Sequence, residues 1–317
     1  MRVLVVGAGA IGGYFGGRLM EAGRDVTFLV RPRRAAELAA TGLVINSVAG
    51  DATLPAPRTV LAENLRAAFD LIVLSCKAYD LDGAIASFAP AVGPETAILP
   101  LLNGMRHLDV LAERFGAERV LGGQCVIAAT LDENRAIRHL NKDHDLTFGE
   151  RGGGLSDRVQ AIARAMEGVR FNARASEQIT QEMWEKWVFL ATLAGGTCLL
   201  RAAIGDIVQS PGGTDFVLGL LEECRDIAAA NGHAPRPASA ERFRAALTAA
   251  GSTFTASMLR DIERQALIEA DHIIGDLIRR GRAGSSSANA PLLRLAYTHL
   301  KAYEARQQRT QPGARAG

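Results

Sequence analysis

The chain has 317 residues, of which 48% are apolar and 22% are charged, and its formal net charge is +2. This length predicts two domains, and the composition is that of an ordinary globular protein without a basic surface for nucleic acid. The four cysteines form no C-x-x-C pair, which argues against a disulfide framework or a zinc site and favours a reducing, cytoplasmic location. No apolar run is long enough to predict a signal peptide or a membrane span.

The first half of the chain alternates short β-branched runs with helical patterns. The run RVLVV precedes a helical pattern from Ile11 to Glu21, and the run DVTFLV follows it. Three more apolar runs come later: LIVLSC, AILPLL and VLGGQCVIAA. Runs of this kind, separated by helices, predict a parallel sheet with helices on its faces. We expect this α/β domain to span residues 1–174.

A G-x-G-x-x-G motif lies directly after the first predicted strand and opens the first predicted helix. The motif consists of Gly7, Ala8, Gly9, Ala10, Ile11 and Gly12. The first glycine permits a tight turn, the second lets the backbone approach a pyrophosphate, and the third lets the helix pack closely. The helix N-terminus offers its N–H groups to the phosphates. The motif predicts a Rossmann-like dinucleotide-binding domain, and a glycine-rich turn without a ligand is the alternative.

The second predicted strand, DVTFLV, ends next to Arg31, which is followed by Arg33 and Arg34. Enzymes that use NAD place an acidic residue there, about 20 residues beyond the glycines, to bind the adenosine ribose. A guanidinium instead forms charge-assisted hydrogen bonds with a 2′-phosphate, which a carboxylate would repel. Arg31 therefore predicts NADP(H) as the cofactor, and an ordinary solvated arginine is the alternative.

Polar residues follow two later strands, Lys77 after LIVLSC and Asn103 after AILPLL. Ligands of an open α/β sheet bind beyond the carboxyl ends of its strands. An amide such as that of Asn103 offers a donor and an acceptor to a nicotinamide or a substrate carbonyl. Both residues are candidate site residues, and a plain Asn-Gly turn is the alternative for Asn103.

From Ser176 onward the chain reads as successive helices. This pattern predicts an all-α domain over residues 175–305, followed by a disordered tail over residues 306–317. One helix is expected to begin near Ser176, a second to end at an Asn-Gly pair after Ala230, and a third to run from Thr255 to Gly281.

The first of these helices carries Lys186 at the point where its apolar run becomes continuous. A lysine ammonium at such a place can donate a proton and stabilise a developing negative charge on oxygen. The alternative is a lysine whose charged end reaches solvent past apolar neighbours.

Two other features are expected to be structural. The polar run HLNKDHD at residues 139–145 matches no metal-ligand spacing, so we predict a solvated loop there and no metal site. Trp184 and Trp187 are expected to pack in the core rather than to stack on a ligand.

The motifs GAGAIG, CKAYD, NGM and WEKW, in this order and spacing, resemble those of the ketopantoate reductase family, from Arg2 to about Tyr303. The family consists of cytoplasmic NADPH-dependent 2-dehydropantoate 2-reductases of pantothenate biosynthesis. The resemblance implies that Lys186 is the proton donor, assisted by Glu269, and that Ser257 and Asn103 contact the substrate. The cofactor-binding residues that it implies are the glycine motif, Arg31, Lys77, Asn103, Ala128 and Glu269.

The chain departs from the family pattern at three positions where typical members carry asparagines. The corresponding residues here are Leu190, Ala194 and Ile204. A buried hydroxyl without a partner costs about 1–3 kcal/mol, so ketopantoate would bind weakly unless other groups compensate. The candidates for replacing the lost amides are Gly196, Thr197 and Gln124. Because Lys186 and the first two apolar replacements are spaced at i, i+4 and i+8, they share one helical face, which we expect to line the active-site cleft.

The expected function is NADPH-dependent reduction of a 2-oxo acid to a 2-hydroxy acid, with ketopantoate as the first candidate. A reductase of a more apolar 2-oxo acid is one alternative, and a non-catalytic NADP(H)-binding sensor is another. The retained Lys186, Ser257 and Glu269 argue against the sensor, because binding alone needs no proton donor. No nucleic-acid or membrane partner is expected, and the apolar helical faces of the second half are compatible with a homodimer.

Overall fold

The computed structural model describes residues 1–282 and 289–310. The chain divides into two compact units, one comprising residues 1–102 and 107–180, the other comprising residues 103–106 and those from 181 onward. The first is an α/β unit and the second is helical, so the predicted fold class is confirmed.

The first unit contains ten strands and five helices among the described residues. The strands are β1 (Arg2–Val6), β2 (Asp25–Leu29), β3 (Leu43–Asn46), β4 (Ala52–Leu54), β5 (Thr59–Val60), β6 (Leu71–Leu74), β7 (Ala97–Pro100), β8 (Gly122–Leu131), β9 (Ile137–Gly149) and β10 (Asn172–Ala175). The helices are α1 (Ala10–Glu21), α2 (Pro32–Thr41), α3 (Leu81–Phe88), α4 (Arg106–Phe115) and α5 (Asp157–Ala165). Short 3-10 helices lie at Ala62–Asn64, Ala78–Asp80, Ala89–Ala91 and Ala117–Arg119.

Five of the strands form a parallel sheet in the order β5-β2-β1-β6-β7. Strands β2 and β5 lie on one side of β1, and the later strands β6 and β7 lie on its other side. The strand order therefore reverses between β1 and β6. Open α/β sheets bind ligands at such a reversal, beyond the carboxyl ends of the strands. The glycine motif follows the end of β1, and Lys77 follows the end of β6.

A second sheet has the order β10-β9-β3-β4, and β8 pairs with β9. The run VLGGQCVIAA was expected in the parallel sheet, but only Val120 reaches it, through a parallel bridge to Ile98 of β7. The strand within the run, β8, pairs antiparallel with β9. The solvated loop predicted at residues 139–145 is also wrong, because this run lies within β9. Its polar side chains have protein partners: His139 hydrogen-bonds Ser47 and His144 hydrogen-bonds Tyr14, both at 2.8 Å.

Helix α1 approaches both sheets closely because two of its inner positions are glycines. A Cβ atom at Gly16 would lie 2.7 Å from the Phe28 ring of β2, and one at Gly17 would lie 2.8 Å from the Ile45 side chain of β3. Real Cβ atoms do not approach other atoms so closely, so larger residues would push the helix away from the sheets. This packing holds the N-terminus of α1, and with it the glycine motif, in a fixed position.

The second half contains seven α-helices among the described residues. They are α6 (Ile179–Leu200), α7 (Ile204–Gln209), α8 (Gly213–Ala230), α9 (Pro237–Leu247), α10 (Ser257–Glu263), α11 (Asp276–Arg282) and α12 (Pro291–Thr310), with a π-helical segment at Asp271–Gly275. Trp184 and Trp187 are buried, and the Trp187 indole N–H donates to the Ile273 carbonyl at 2.9 Å, which confirms that both are packing residues. None of the helices in the described ranges combines the length and the apolar character needed to cross a bilayer.

Two predictions about helices in this half are wrong. The single helix expected from Thr255 to Gly281 is interrupted, since α10 ends at Glu263 and Gln265 has a left-handed φ of 55° that a helix does not accommodate. The expected disordered tail begins too early, because α12 continues to Thr310. Residues 311–317 of that tail lie outside the described residues.

Candidate functional site

The glycine motif has a geometry that fits a pyrophosphate. Gly7 has a φ of 92°, a conformation that favours glycine, and its N–H donates to the Leu29 carbonyl at 2.9 Å. A Cβ atom at Gly9 would meet no other atom within 4 Å, so the space beside this backbone is open. A Cβ atom at Gly12 would overlap the Ser75 hydroxyl and the Gly7 carbonyl. The motif thus offers an open backbone at its centre and tight helix packing at its end.

Arg31 immediately precedes α2 and extends into solvent. Its side chain is 73% exposed and pairs with Asp80 at 3.1 Å. Exposed ion pairs of this kind contribute little to stability, so the guanidinium can exchange a carboxylate for a phosphate at small cost. Its neighbour Arg33, 90% exposed, pairs instead with Glu37 on the next turn of α2.

Arg34 is a residue to which the sequence assigns no role. It is buried, and its Nε donates to the Ala8 carbonyl within the glycine motif at 3.1 Å while its Nη1 donates to Glu37 at 3.2 Å. Burial lowers the pKa of Arg34, against the opposing effect of Glu37. Arg34 therefore ties α2 to the glycine motif. Three nearly adjacent arginines look alike in the sequence, and only their burial distinguishes them.

The end of β6 is joined to the end of β1 beside the glycine motif. The Ser75 hydroxyl donates to the Val6 carbonyl at 3.1 Å. Lys77, two residues later, is half-buried, and its carbonyl accepts from the Asp80 N–H at 2.9 Å. Because Asp80 pairs with Arg31, the structure places Lys77 and Arg31 at the same edge of the parallel sheet.

Ala128 lies at an irregularity of β8. The register with β9 shifts between Ile127 and Ala129, and the Ala128 N–H donates to the side-chain oxygen of Asn141, a residue of β9, at 2.9 Å. Such bulges redirect side chains and are frequent next to active sites. Ala128 itself is half-buried at this irregularity.

In the helical unit, Lys186 lies half-buried on α6 with Leu190 one turn later, also half-buried, and Ala194 a further turn on, buried. The same face continues to Thr197, whose buried hydroxyl donates to the Leu193 carbonyl at 2.7 Å. Between Lys186 and Thr197 this face is therefore apolar, as the sequence predicted.

Residues 252–256, here called the strap, are attached to the end of α6 and the start of α7 by hydrogen bonds of their main chain. The Gly205 N–H donates to the Ser252 carbonyl at 2.8 Å, and the Ile204 N–H donates to the Phe254 carbonyl at 3.0 Å. The Ala256 N–H donates to the Thr197 hydroxyl at 3.3 Å. The strap leads directly into α10, whose first residue is Ser257, with an exposed side chain. The structure thus brings Ser257 and Ile204 to the lysine-bearing helix.

Asn103 groups with the helical unit although it follows β7 in the chain. A hydrogen bond joins the ring of His272 to the backbone of Asn103, and a Cβ atom at Gly104 would lie 2.9 Å from the His272 carbonyl oxygen. The half-buried Glu269 lies beside the same histidine. The main-chain N–H of His272 donates to the main-chain carbonyl of Glu269 at 3.2 Å. Burial lowers the pKa of His272, and the Glu269 charge opposes this effect. His272 therefore connects two predicted site residues, and nothing in the sequence indicates it.

The three candidates for replacing the family's asparagine amides, Gly196, Thr197 and Gln124, differ in whether they have a free hydrogen-bonding group. The Thr197 hydroxyl is committed to Leu193 and Ala256. Gly196 faces apolar side chains of α8, with Val217 at 3.7 Å from its Cβ position. Over the described residues, the Gln124 Oε1 atom is a buried oxygen without a hydrogen-bond partner. Gln124 is thus the candidate with an unused acceptor.

Glu185, next to Lys186, fixes the position of α6. Its buried carboxylate accepts from the Arg236 guanidinium at 2.7 Å, from the Arg236 N–H at 2.9 Å and from the Ser239 hydroxyl at 2.9 Å. Burial alone would raise the pKa of Glu185, but these hydrogen bonds lower it to about 2. The carboxylate therefore stays ionised at neutral pH and joins the start of α9 to the turn of α6 that carries Lys186.

A Rossmann-like sheet with an open glycine motif, followed by a helical unit that carries a lysine on an apolar face, defines a class of dinucleotide-binding oxidoreductases. Within that class the chain belongs to the ketopantoate reductase family. The family model described as ketopantoate reductase PanE/ApbA matches residues 3–153, and the model described as its C terminal matches residues 178–304.

Similar proteins extend over almost the whole chain. The uncharacterized oxidoreductase YkpB of Bacillus subtilis is 38% identical over 305 residues, which cover 96% of this chain and 99% of that protein. A 2-dehydropantoate 2-reductase of Mesorhizobium japonicum is 27% identical and covers 89% of this chain and 92% of its own. The crystal structure of 2-dehydropantoate 2-reductase from Methylococcus capsulatus has a TM-score of 0.87 at 29% identity, covering 99% and 100% of the two chains. The protein is an oxidoreductase of this family.

Proposed function

We propose that the protein uses NADPH to reduce a 2-oxo acid to the corresponding 2-hydroxy acid. The observation that carries this proposal is Lys186, a half-buried lysine on an otherwise apolar helix face to which the strap brings Ser257. A face that only packed or only bound a nucleotide would need no ammonium group at this place.

The residues of the first unit would hold the cofactor. The glycine motif would accept the pyrophosphate, Arg31 the 2′-phosphate, and Lys77 and Ala128 the nicotinamide portion. When bound, NADPH supplies the hydride that adds to the carbonyl carbon of the oxo acid. Glu269 would contact the cofactor ribose.

The residues of the helical unit would act on the substrate. Lys186 would stabilise the carbonyl oxygen as it becomes negative and would give it a proton from Nζ. The Ser257 hydroxyl would donate to the substrate carboxylate, and the Asn103 amide would orient the substrate or the nicotinamide. Glu269 would also assist by orienting the lysine.

Ketopantoate is the first candidate substrate because of the family, and a more apolar 2-oxo acid is the second. The second is favoured by the apolar side chains of Leu190, Ala194 and Ile204 and by the commitment of the Thr197 hydroxyl to other partners. A cytoplasmic location and a homodimer stay predictions.

The test follows NADPH absorbance while the purified protein is offered ketopantoate and, in parallel, branched and aromatic 2-oxo acids. We expect at least one oxo acid to be reduced with a kcat/KM of about 10⁴ M⁻¹s⁻¹ or above, the usual range for enzymes. Tight NADPH binding without consumption across the panel would instead identify a sensor and would refute the reductase.

A further inference from the structure

Three phenylalanine rings form a row in the helical unit that leads from its core to its surface. Phe243 is buried, Phe189 is half-buried, and Phe254 on the strap is 43% exposed. The ring centroid of Phe189 lies 5.3 Å from that of Phe243 and 6.0 Å from that of Phe254. The rings of Phe189 and Phe254 are stacked, with an interplanar angle of 23°. These separations are typical of favourable aromatic pairs.

The aromatic row is linked by short spacings along the chain to two predicted substrate contacts, Lys186 and Ser257. Phe189 is three residues and Leu190 four residues after Lys186 on α6, so both are neighbours of the lysine on the helix surface. Phe254 is three residues before Ser257, on the strap that Ile204 and Thr197 bind. An apolar surface therefore adjoins the groups expected to bind the carbonyl and the carboxylate.

Two hydrogen-bonding groups beside this row are already paired within the protein. The Thr197 hydroxyl donates to Leu193 and accepts from Ala256, and the main-chain groups of Ile204 and Phe254 bond to each other. An apolar substrate group placed against the Phe189 and Phe254 rings would bury surface on both sides, whereas a hydroxyl placed against the same rings would lose water and meet only aromatic carbon.

We infer that Phe254, stacked on Phe189, is a specificity-determining residue that selects 2-oxo acids with a bulky aromatic side chain. This inference rests on the proposed reductase function. Lys186 and Ser257 recognise the 2-oxo acid group common to all candidate substrates, and the aromatic row recognises the side chain. The substrate class is an aromatic 2-oxo acid such as phenylpyruvate.

The experiment compares kcat/KM for phenylpyruvate and for ketopantoate in the wild-type protein and in variants. We expect the wild type to favour phenylpyruvate. Phe254→Ala should lower the ratio of the two constants roughly tenfold, mainly through KM for phenylpyruvate, because the lost contact is with the substrate side chain. Phe254→Tyr keeps the ring and should retain the ratio. Leu295→Ala, which removes another exposed apolar side chain on α12, should leave both constants unchanged.

The inference is wrong if the wild type favours ketopantoate, or if Phe254→Ala slows both substrates equally. Thermal unfolding of each variant guards against a folding defect. If Phe254→Ala does not fold, competitive inhibition of the wild type decides: 3-phenyllactate should inhibit more strongly than pantoate, and the opposite order overturns the inference. A wild type that reduces no oxo acid contradicts the proposed function itself, whereas reduction with an unchanged ratio contradicts this inference alone.

Discussion

Arg31 and Arg33 lie two residues apart, yet only the first is expected to bind the cofactor. Arg31→Ala should raise KM for NADPH roughly tenfold or more and leave KM for NADH nearly unchanged, because a charge-assisted hydrogen bond contributes about 1.5–3 kcal/mol. Arg33→Ala is the matched control, since Arg33 is 90% exposed and pairs with Glu37. Initial rates with each cofactor measure the effect, and equal losses for both cofactors would show that Arg31 does not recognise a 2′-phosphate.

Two variants of Lys186 distinguish its role as a positive charge from its role as a proton donor. Lys186→Ala should lower kcat by roughly 10²-fold or more while NADPH binding stays nearly intact, as is typical when a general acid is lost. Lys186→Arg should lower kcat similarly but keep KM closer to the wild-type value, because a guanidinium retains the charge and does not release its proton. Steady-state kinetics and a fluorescence titration with NADPH distinguish these cases. Unchanged turnover of Lys186→Ala would remove the lysine from the mechanism, and unchanged turnover of Lys186→Arg would remove only its role as the proton donor.

At the scale of elements, the junction of α6 and α9 depends on the ionised Glu185. A glutamate in the unfolded chain titrates near 4.5, whereas the folded pKa is about 2. The stabilisation is therefore present in full above pH 4.5 and is lost as the pH falls from 4.5 towards 2. Glu185→Gln should lower the free energy of unfolding by about 2 kcal/mol at pH 7 and by progressively less in this acid range.

Urea unfolding at pH 7 and at a series of lower pH values measures this effect. Glu222→Gln is the control, because Glu222 forms an exposed pair with Arg225 on α8 that should contribute little. A destabilisation of Glu185→Gln that stayed constant through the acid range would show that packing, and not the charge, supports the junction.

Across the whole molecule, the sequence predicted what depends on local patterns. The parallel strands, α1 and the end of α8 follow from apolar runs and from Gly and Asn signals that each lie within a few residues. The pairing of β8 with β9 depends on contacts between distant segments, and the polar residues of β9 resembled a loop until their partners Ser47 and Tyr14 were known. The interruption after α10 depends on the backbone conformation of Gln265, which no periodicity reveals.

The candidate site divides in the same way. Gly7, Arg31 and Lys186 could be found because each occupies a fixed place in a motif or on a helical face. Arg34 and His272 could not, because their importance comes from burial against the glycine motif and against Asn103. Phe254 was missed because its relation to Phe189 joins two segments that are far apart in the sequence.

The strap is attached through its main chain, whereas its side chain at position 254 takes no part in this attachment. It is held by hydrogen bonds of its own main chain with Ile204, Gly205 and Thr197, and any residue at position 254 can form the carbonyl bond there. Replacing that side chain therefore leaves the attachment of the strap unchanged. After gene duplication, single substitutions at position 254 can therefore change the preferred substrate while the main-chain hydrogen bonds of the strap stay in place.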